Sequence, residues 1–145
     1  MNIDSDHLDY FKNIDHIVSS FNEFASLVPE DGCIIAYDAN PFVNSVVSGL
    51  PNVVTFGFTD NCTYYGSDIE FDNGMPVFTV NHEGKAIARV KLNVPGEHNI
   101  LNSMAAFACC HMLGADVDII VSTLEQYTGT DRRFDVLGST DDGRK

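Results

Sequence analysis

The stretch CIIAYDANPFVNSVVSGLPNVVTFGF, residues 33–58, decides the fold of this 145-residue chain. It opens and closes on apolar runs, 33–37 and 53–58. Their lack of polar alternation indicates strands buried on both faces, as in a parallel sheet. Between them, the segment 41–50 predicts a short helix. Strand, helix and strand at this spacing predict a βαβ unit and therefore an α/β fold.

The flanking segments extend this prediction. Upstream, apolar residues from Ile14 to Val28 recur at helical spacing and predict an amphipathic helix that Pro29 and Gly32 end. Downstream, turn signals at 73–74 and 83–84 separate three segments, which predict a three-stranded antiparallel sheet within 67–94. Two further helices are predicted over 99–113, ended by Gly114, and over 117–127, and 134–137 is a candidate strand.

Composition excludes several classes of function. The chain has 21 acidic and 8 basic residues, a formal charge of −13, which argues against nucleic acid or an anionic membrane as the main partner. No signal peptide or membrane-spanning run is recognisable, so the expected compartment is the cytoplasm. The four cysteines form no C-x-x-C pair, and a zinc ribbon is not expected. Cys109 and Cys110 lie in an apolar helical run and are predicted to be packing residues.

The first candidate site is DSDHLD, residues 4–9. If Asp4 is counted as the first position of an EF-hand loop, Leu8 takes position five, where an oxygen ligand is needed. Asp9 stands in place of the glycine at position six, and Asp15 in place of the glutamate at position twelve. The segment therefore does not match an EF-hand. A single histidine, His7, among carboxylates suits Mg²⁺ or Mn²⁺ held jointly with substrate phosphates. A solvated acidic loop without a ligand is the alternative.

Two further motifs carry polar groups suited to a nucleotide. In PGEHNILNSMAA, residues 95–106, Asn99 and Asn102 share one face of the first helical turn, where their carboxamides could meet a purine edge. Ordinary helix capping by Asn99 is the alternative. In GTDRRFD, residues 129–135, Arg132 and Arg133 match phosphate oxygens. Surface salt bridges to the surplus acids are the alternative there.

In their order and separation, NIDSDHLDYF, VPGEHNILNSMAA and GTDRRFD resemble the central ATPase domain of the Mur ligases. The resemblance extends from Asn2 to about Gly138. It implies that residues 1–138 are the second half of that domain, a partial Mur-ligase central domain. Its expected fold is α/β, with parallel strands and flanking helices plus a three-stranded antiparallel sheet. Residues 139–145 would be a polar tail toward a missing C-terminal domain.

The resemblance also implies an activity. Mur ligases use ATP and Mg²⁺ to phosphorylate a substrate carboxylate, and an amine then attacks the acyl phosphate. The alanine-adding branch fits best, because this chain has Phe21 and Asn22 where several sister ligases carry a carbamylated lysine. The implied substrates are UDP-N-acetylmuramate and L-alanine, in peptidoglycan precursor synthesis.

Site residues follow from the same resemblance. His7 is implied as a catalytic residue and magnesium ligand, and the cluster around it is expected at the end of a central-sheet strand. His98, Asn99 and Asn102 are implied to contact adenine and ribose. Arg133 is implied to reach the ATP phosphates, with Arg132 as a weaker candidate. We expect these groups to converge on one triphosphate pocket.

The chain also departs from the family. It contains no G-x-x-G-K-[ST] phosphate loop, so we expect an excised fragment that cannot catalyse ligation by itself and binds nucleotide weakly. A cut sheet would expose an edge, and self-association could cover it. Two alternatives stay open: another Mur-type amide ligase, for murein tripeptide recycling or polyglutamate addition, or a non-catalytic nucleotide-binding or interaction module.

Overall fold

The structure is a computed structural model that describes residues 2–130. These residues form four helices and five strands. In chain order they are α1 (Ile14–Ser26), β1 (Ile34–Tyr37), α2 (Pro41–Val47), β2 (Val53–Gly57), β3 (Tyr64–Asp72), β4 (Met75–His82), β5 (Lys85–Lys91), α3 (Glu97–Met112) and α4 (Val117–Gln126).

The five strands form one mixed sheet in the order β1-β2-β3-β4-β5. β1, β2 and β3 are parallel, whereas β3, β4 and β5 form an antiparallel meander. The predicted α/β class, the parallel pair and the three antiparallel strands are confirmed. The two groups are continuous, because Phe56 pairs with Tyr64 and Gly57 with Tyr65.

Helices cover the sheet from both sides. Ala36 and Val53 pack with α1 and α2 in a core that includes Ile17, Val43 and Val46. The other face packs against α3 and α4, in a larger core of Phe56, Tyr64, Phe78, Val80, Val90, Leu92, Val94, Ile100, Met104, Phe107, Ala108 and Ile120. The sheet is therefore the middle layer of three where the parallel strands lie.

Local signals set the ends of the elements. Asn13, Asn40 and Asp116 cap α1, α2 and α4 by accepting backbone N–H bonds with their side chains. Gly114 ends α3 as predicted: its φ is +84°, and its N–H donates to His111 O at 3.0 Å.

The exposure of several side chains differs from what the sequence predicts. Cys109 and Cys110 are exposed, so their predicted role in packing is wrong: α3 buries Phe107 and Ala108 and turns the next two residues outward. The apolar face of α1 is only partly covered, since Phe24 is 68% exposed. The candidate strand 134–137 lies outside the described residues. Of the helices within 2–130, none has the length and apolarity needed to cross a membrane.

Candidate functional site

The start of α3 has a backbone that only glycine adopts easily. Gly96 precedes the helix with φ +97° and ψ 143°, in a region of backbone space essentially reserved for glycine. The His98 ring folds back over this residue: a Cβ on Gly96 would lie 2.7 Å from His98 Cε1. The tight turn thereby places His98, Asn99 and Asn102 within the first two turns of α3.

The two asparagines are linked to each other. Asn99 Nδ2 donates to Pro95 O at 2.7 Å, and Asn99 Oδ1 accepts from Asn102 Nδ2 at 3.3 Å. Asn99 therefore ties the turn to the helix and orients Asn102. Within 2–130, the Oδ1 atom of Asn102 accepts no recorded hydrogen bond, so this exposed acceptor can meet a ligand. Asn99 has a structural role in addition to the one predicted for it.

A cavity of about 250 Å³ lies beside these asparagines. It is mainly apolar and opens between the start of α3, the end of α4 and the segment after β5. Its lining residues are Leu92, Val94, Asn99, Asn102, Ser103, Ala106, Thr123, Leu124 and Tyr127. An apolar pocket with a few directed polar groups is typical of small-molecule sites. It can accept a flat ring system whose polar edge faces Asn102.

The residues that α4 contributes to this cavity were not predicted from the sequence. Thr123, Leu124 and Tyr127 line it on this side. Asn93 Nδ2 donates to Glu125 O, which ties the segment after β5 to α4. Thr123 lies on α4, and Tyr127 is the residue that ends this helix, with extended backbone. No motif in the sequence indicates that these residues lie opposite Asn102, because the packing of α4 against both β5 and α3 brings them together.

His7 lies on a loop anchored at the end of β1. Asn40, which follows β1, donates from Nδ2 to Ile3 O at 3.1 Å, and Ile3 is buried in the core under α1 and α2. Within 2–12 no residue is in a strand, and the bond from Asn40 places the anchor of this loop at the end of β1. That the cluster itself follows a central-sheet strand stays a prediction. His7 itself has φ +53° and a side chain that is 76% exposed.

The acidic cluster does not form a complete cation site. Asp6 Oδ1 accepts the N–H of His7 at 2.7 Å, and its other oxygen lies 3.9 Å from His7 Nε2. Throughout residues 2–130, no three His, Cys, Asp or Glu side chains converge as metal ligands. The side chains of the acidic cluster therefore cannot coordinate Mg²⁺ without further ligands. His7 could supply at most one ligand to an ion held mainly by phosphate oxygens.

A buried thiol lies near the carboxyl ends of β1 and β2. A Cβ on Gly57 would be 3.1 Å from Cys62 Sγ and 3.8 Å from Asp38 Cβ. Burial, above all, and the nearby Asp38 carboxylate raise the pKa of the Cys62 thiol. The raised pKa favours the protonated thiol, and Cys62 packs as a buried core residue at this edge.

The strand directions place His7 and the asparagines toward the same end of the sheet. β1 and β5 run in the same direction, and the loop of His7 is anchored at the end of β1 while α3 begins after β5. Four strand spacings, about 19 Å, separate β1 from β5. The residues that line the Asn102 cavity do not include His7. Arg132 and Arg133 lie outside the described residues, so convergence of all these groups stays a prediction.

Comparison with known proteins gives the family. The model of the Mur ligase middle domain matches residues 1–110. A UDP-N-acetylmuramate–L-alanine ligase from Caldanaerobacter subterraneus subsp. tengcongensis is 44% identical over 140 residues, which are 95% of this chain and 30% of that protein. The chain thus spans about 30% of the length of the curated relatives it matches.

Solved structures agree in fold. A UDP-N-acetylmuramate–alanine ligase from Thermotoga maritima has a TM-score of 0.78 and 25% identity, over 95% of this chain and 30% of that one. A MurF ligase from Thermotoga maritima, solved in complex with ADP, has a TM-score of 0.76 over 95% of this chain and 32% of that one. At 20% identity, this second likeness concerns the fold alone. Since the family model covers well over half of its residues, the chain belongs to the Mur ligase middle-domain family.

Proposed function

We propose that this chain is the second half of the ATP-binding central domain, over residues 1–138, of a ligase that joins L-alanine to UDP-N-acetylmuramate. The observation that carries the proposal is the apolar cavity lined by Asn102, whose amide nitrogen is held by Asn99 and whose amide oxygen accepts no hydrogen bond within residues 2–130. The identity of 38–44% to ligases of that name supports the choice of substrates. The expected compartment is the cytoplasm.

The adenine ring would enter the cavity between α3 and α4. Asn102 Oδ1 would accept a hydrogen bond from the exocyclic amine of the base, and Asn99 would hold Asn102 in that orientation. His98 would lie beside the ribose. The backbone N–H groups at the start of α3 add a favourable field for negative charge.

The phosphates would extend from this cavity toward the loop of His7. Arg133, with Arg132 as the weaker candidate, would neutralise charge that develops on the γ-phosphoryl group during transfer. That group passes to the carboxylate of the muramate, and the alanine amine then displaces phosphate to form the amide. Magnesium, when bound, would shield the phosphate oxygens, and His7 could supply one ligand to it.

A chimera tests the proposal without requiring the isolated chain to be active. Residues 1–138 would replace the matching segment of the Caldanaerobacter subterraneus ligase, and alanine-dependent ADP release would be measured. We expect activity, and we expect Asn102→Ala to raise the KM for ATP about fivefold, equivalent to one lost hydrogen bond of about 1 kcal/mol. Ser122→Ala, an exposed change on α4 away from the cavity lining, is the matched control and should leave KM unchanged.

The outcomes separate the alternatives. A folded chimera without activity, made from a chain that still binds ATP, would favour the non-catalytic nucleotide-binding module. An active chimera in which Asn102→Ala leaves the KM for ATP unchanged would retain the ligase and reject the site. Another Mur-type amide ligase, for murein tripeptide recycling or polyglutamate addition, is the favoured alternative if the chimera uses a tripeptide or glutamate in place of L-alanine.

Self-association of the isolated chain is a separate part of the proposal. Within the described residues β1 is an edge strand, and Phe24 on the neighbouring helix is largely exposed. Both features favour contact between copies. Sedimentation equilibrium would test it: we expect a concentration-dependent dimer that Phe24→Ser weakens, and a monomer at all concentrations would reject it.

A further inference from the structure

Sulfur atoms gather at the end of α3 that lies away from the proposed nucleotide site. Cys33 immediately precedes β1, and Met112 is the last residue of α3. Cys33 Sγ lies 3.8 Å from Met112 Sδ. The 16 residues of α3 separate this sulfur pair from Gly96 by about 24 Å along the helix. The pair is therefore not part of the proposed nucleotide site.

A second thiol lies beside this pair. Cys109 precedes Met112 by three residues, so both side chains lie on one face of the last turns of α3. Partial desolvation of its sulfur, above all, and the proximity of Cys109 raise the pKa of the Cys33 thiol, although the residue as a whole is exposed. Cys33 and Cys109 are exposed and unbridged, and Met112 is 46% exposed, so an ion can reach all three sulfurs from solvent.

The neighbouring histidine is already engaged. His111 Nδ1 is hydrogen-bonded to the hydroxyl of Tyr64 at 2.8 Å, and its ring packs against His82 and Phe107. It does not join the two thiols in a metal-ligand group, because no three His, Cys, Asp or Glu side chains of residues 2–130 converge. The third donor beside the two thiols is the thioether sulfur of Met112.

The chemistry of these donors selects a soft ion. Thiolate and thioether sulfurs prefer Cu(I) to the hard cations Mg²⁺ and Ca²⁺. Two metal–sulfur bonds of about 2.3 Å at trigonal angles place the sulfurs about 4.0 Å apart. The observed separation of 3.8 Å between Cys33 Sγ and Met112 Sδ needs little adjustment to reach that geometry.

We propose that Cys33, Cys109 and Met112 form a binding site for a soft monovalent metal ion, Cu(I) or its analogue Ag(I). Each thiol would lose its proton to solvent as its sulfur binds the ion, and neither the metal nor sulfur would change oxidation state. The bound ion would link the start of β1 to the end of α3, two elements far apart in sequence.

The test is an anaerobic titration of the 145-residue chain with Cu(I) against a chromophoric Cu(I) chelator. We expect one equivalent to bind with release of two protons. Cys33→Ser and Met112→Leu should each weaken binding at least tenfold. Cys110→Ser is the matched control, because this exposed thiol lies one residue beyond Cys109 on another face of α3, and its affinity should equal that of the wild type.

Two results would overturn the proposal. One is wild-type affinity in Met112→Leu, which would show that thiols alone bind the ion. The other is an equal loss in Cys110→Ser and Cys33→Ser, which would indicate unspecific thiol binding. Circular dichroism of each variant separates loss of the site from loss of the fold, and Cys109→Ser replaces Cys33→Ser if the latter does not fold.

Discussion

The turn before α3 offers a sharp test, because two glycines with positive φ stand at opposite ends of that helix. Gly96 precedes it at φ +97°, and Gly114 follows it at φ +84°. A Cβ on Gly114 would meet nothing within 4 Å, whereas a Cβ on Gly96 would lie 2.7 Å and 2.9 Å from two atoms of the His98 ring. Gly96→Ala and Gly114→Ala therefore form a matched pair.

The expected costs differ. Alanine at Gly114 meets only the penalty of a left-handed backbone, about 1 kcal/mol. Alanine at Gly96 enters a region that costs about 2 kcal/mol and must also displace His98. We expect Gly96→Ala to lower the free energy of unfolding by about 2 to 3 kcal/mol, a large share of the usual 5–15 kcal/mol for a whole domain.

Urea denaturation measures the loss in the free energy of unfolding of each variant, from the shift of its unfolding midpoint at an unchanged m-value. Nucleotide binding provides a second readout, because Gly96→Ala moves the start of α3 whereas Gly114→Ala leaves it in place. We expect weaker ADP binding only in Gly96→Ala. If Gly96→Ala costs no more than Gly114→Ala, the turn is not the constrained element described here and the reasoning fails.

Three other predictions concern stability and its dependence on pH. Glu83→Asn should stabilise the chain by about 0.5 kcal/mol in urea titrations, since φ is +49° at Glu83 and asparagine tolerates that backbone better; equal or lower stability would contradict this. Tyr64→Phe should cost about 1 kcal/mol at pH 7 by removing the bond to His111. Burial raises the pKa of Tyr64 above 10.0, so the wild type should lose stability as pH rises past 10 and the variant should lose less; parallel alkaline curves would refute this. Lys91 Nζ lies 2.6 Å from Asp72 Oδ2 and lowers the pKa of Asp72 below 3.8. The free energy of unfolding of the wild type should therefore exceed that of Asp72→Asn at neutral pH, and this excess should vanish as pH falls through the lowered pKa. An excess that stays constant down to pH 2 would argue against this.

Much of the fold is visible in the sequence because its signals are local. The apolar run that ends at Tyr37, the asparagine that caps α2 and Gly114 after α3 each act on their own turn of chain. The joining of β2 to β3 is not visible in this way. Parallel strands usually need a crossover of a dozen residues, yet here only 58–63 connects them. Thr63 N donates to Thr55 Oγ1 at 3.1 Å and helps to close this short connection.

Part of the geometry at the start of α3 follows from local signals as well. Asn99 and Asn102 share a face of α3, and spacing alone predicts that. The division of roles between them depends on Pro95 O, which accepts the hydrogen bond from Asn99 Nδ2, whereas the amide oxygen of Asn102 accepts none within residues 2–130. Cysteine is apolar enough to look like a core residue, so the exposure of Cys109 and Cys110 depends on which face of α3 the sheet covers.

An NMR titration of the ¹⁵N-labelled chain with ATP tests the central claim most directly, because it detects weak binding at each residue. We expect saturable chemical-shift changes for the side-chain amide of Asn102 and for the backbone amides around Val94, Asn99 and Tyr127. The amide signal of Gly114 should not change. Shifts confined to other surfaces, or none at millimolar ATP, would contradict it.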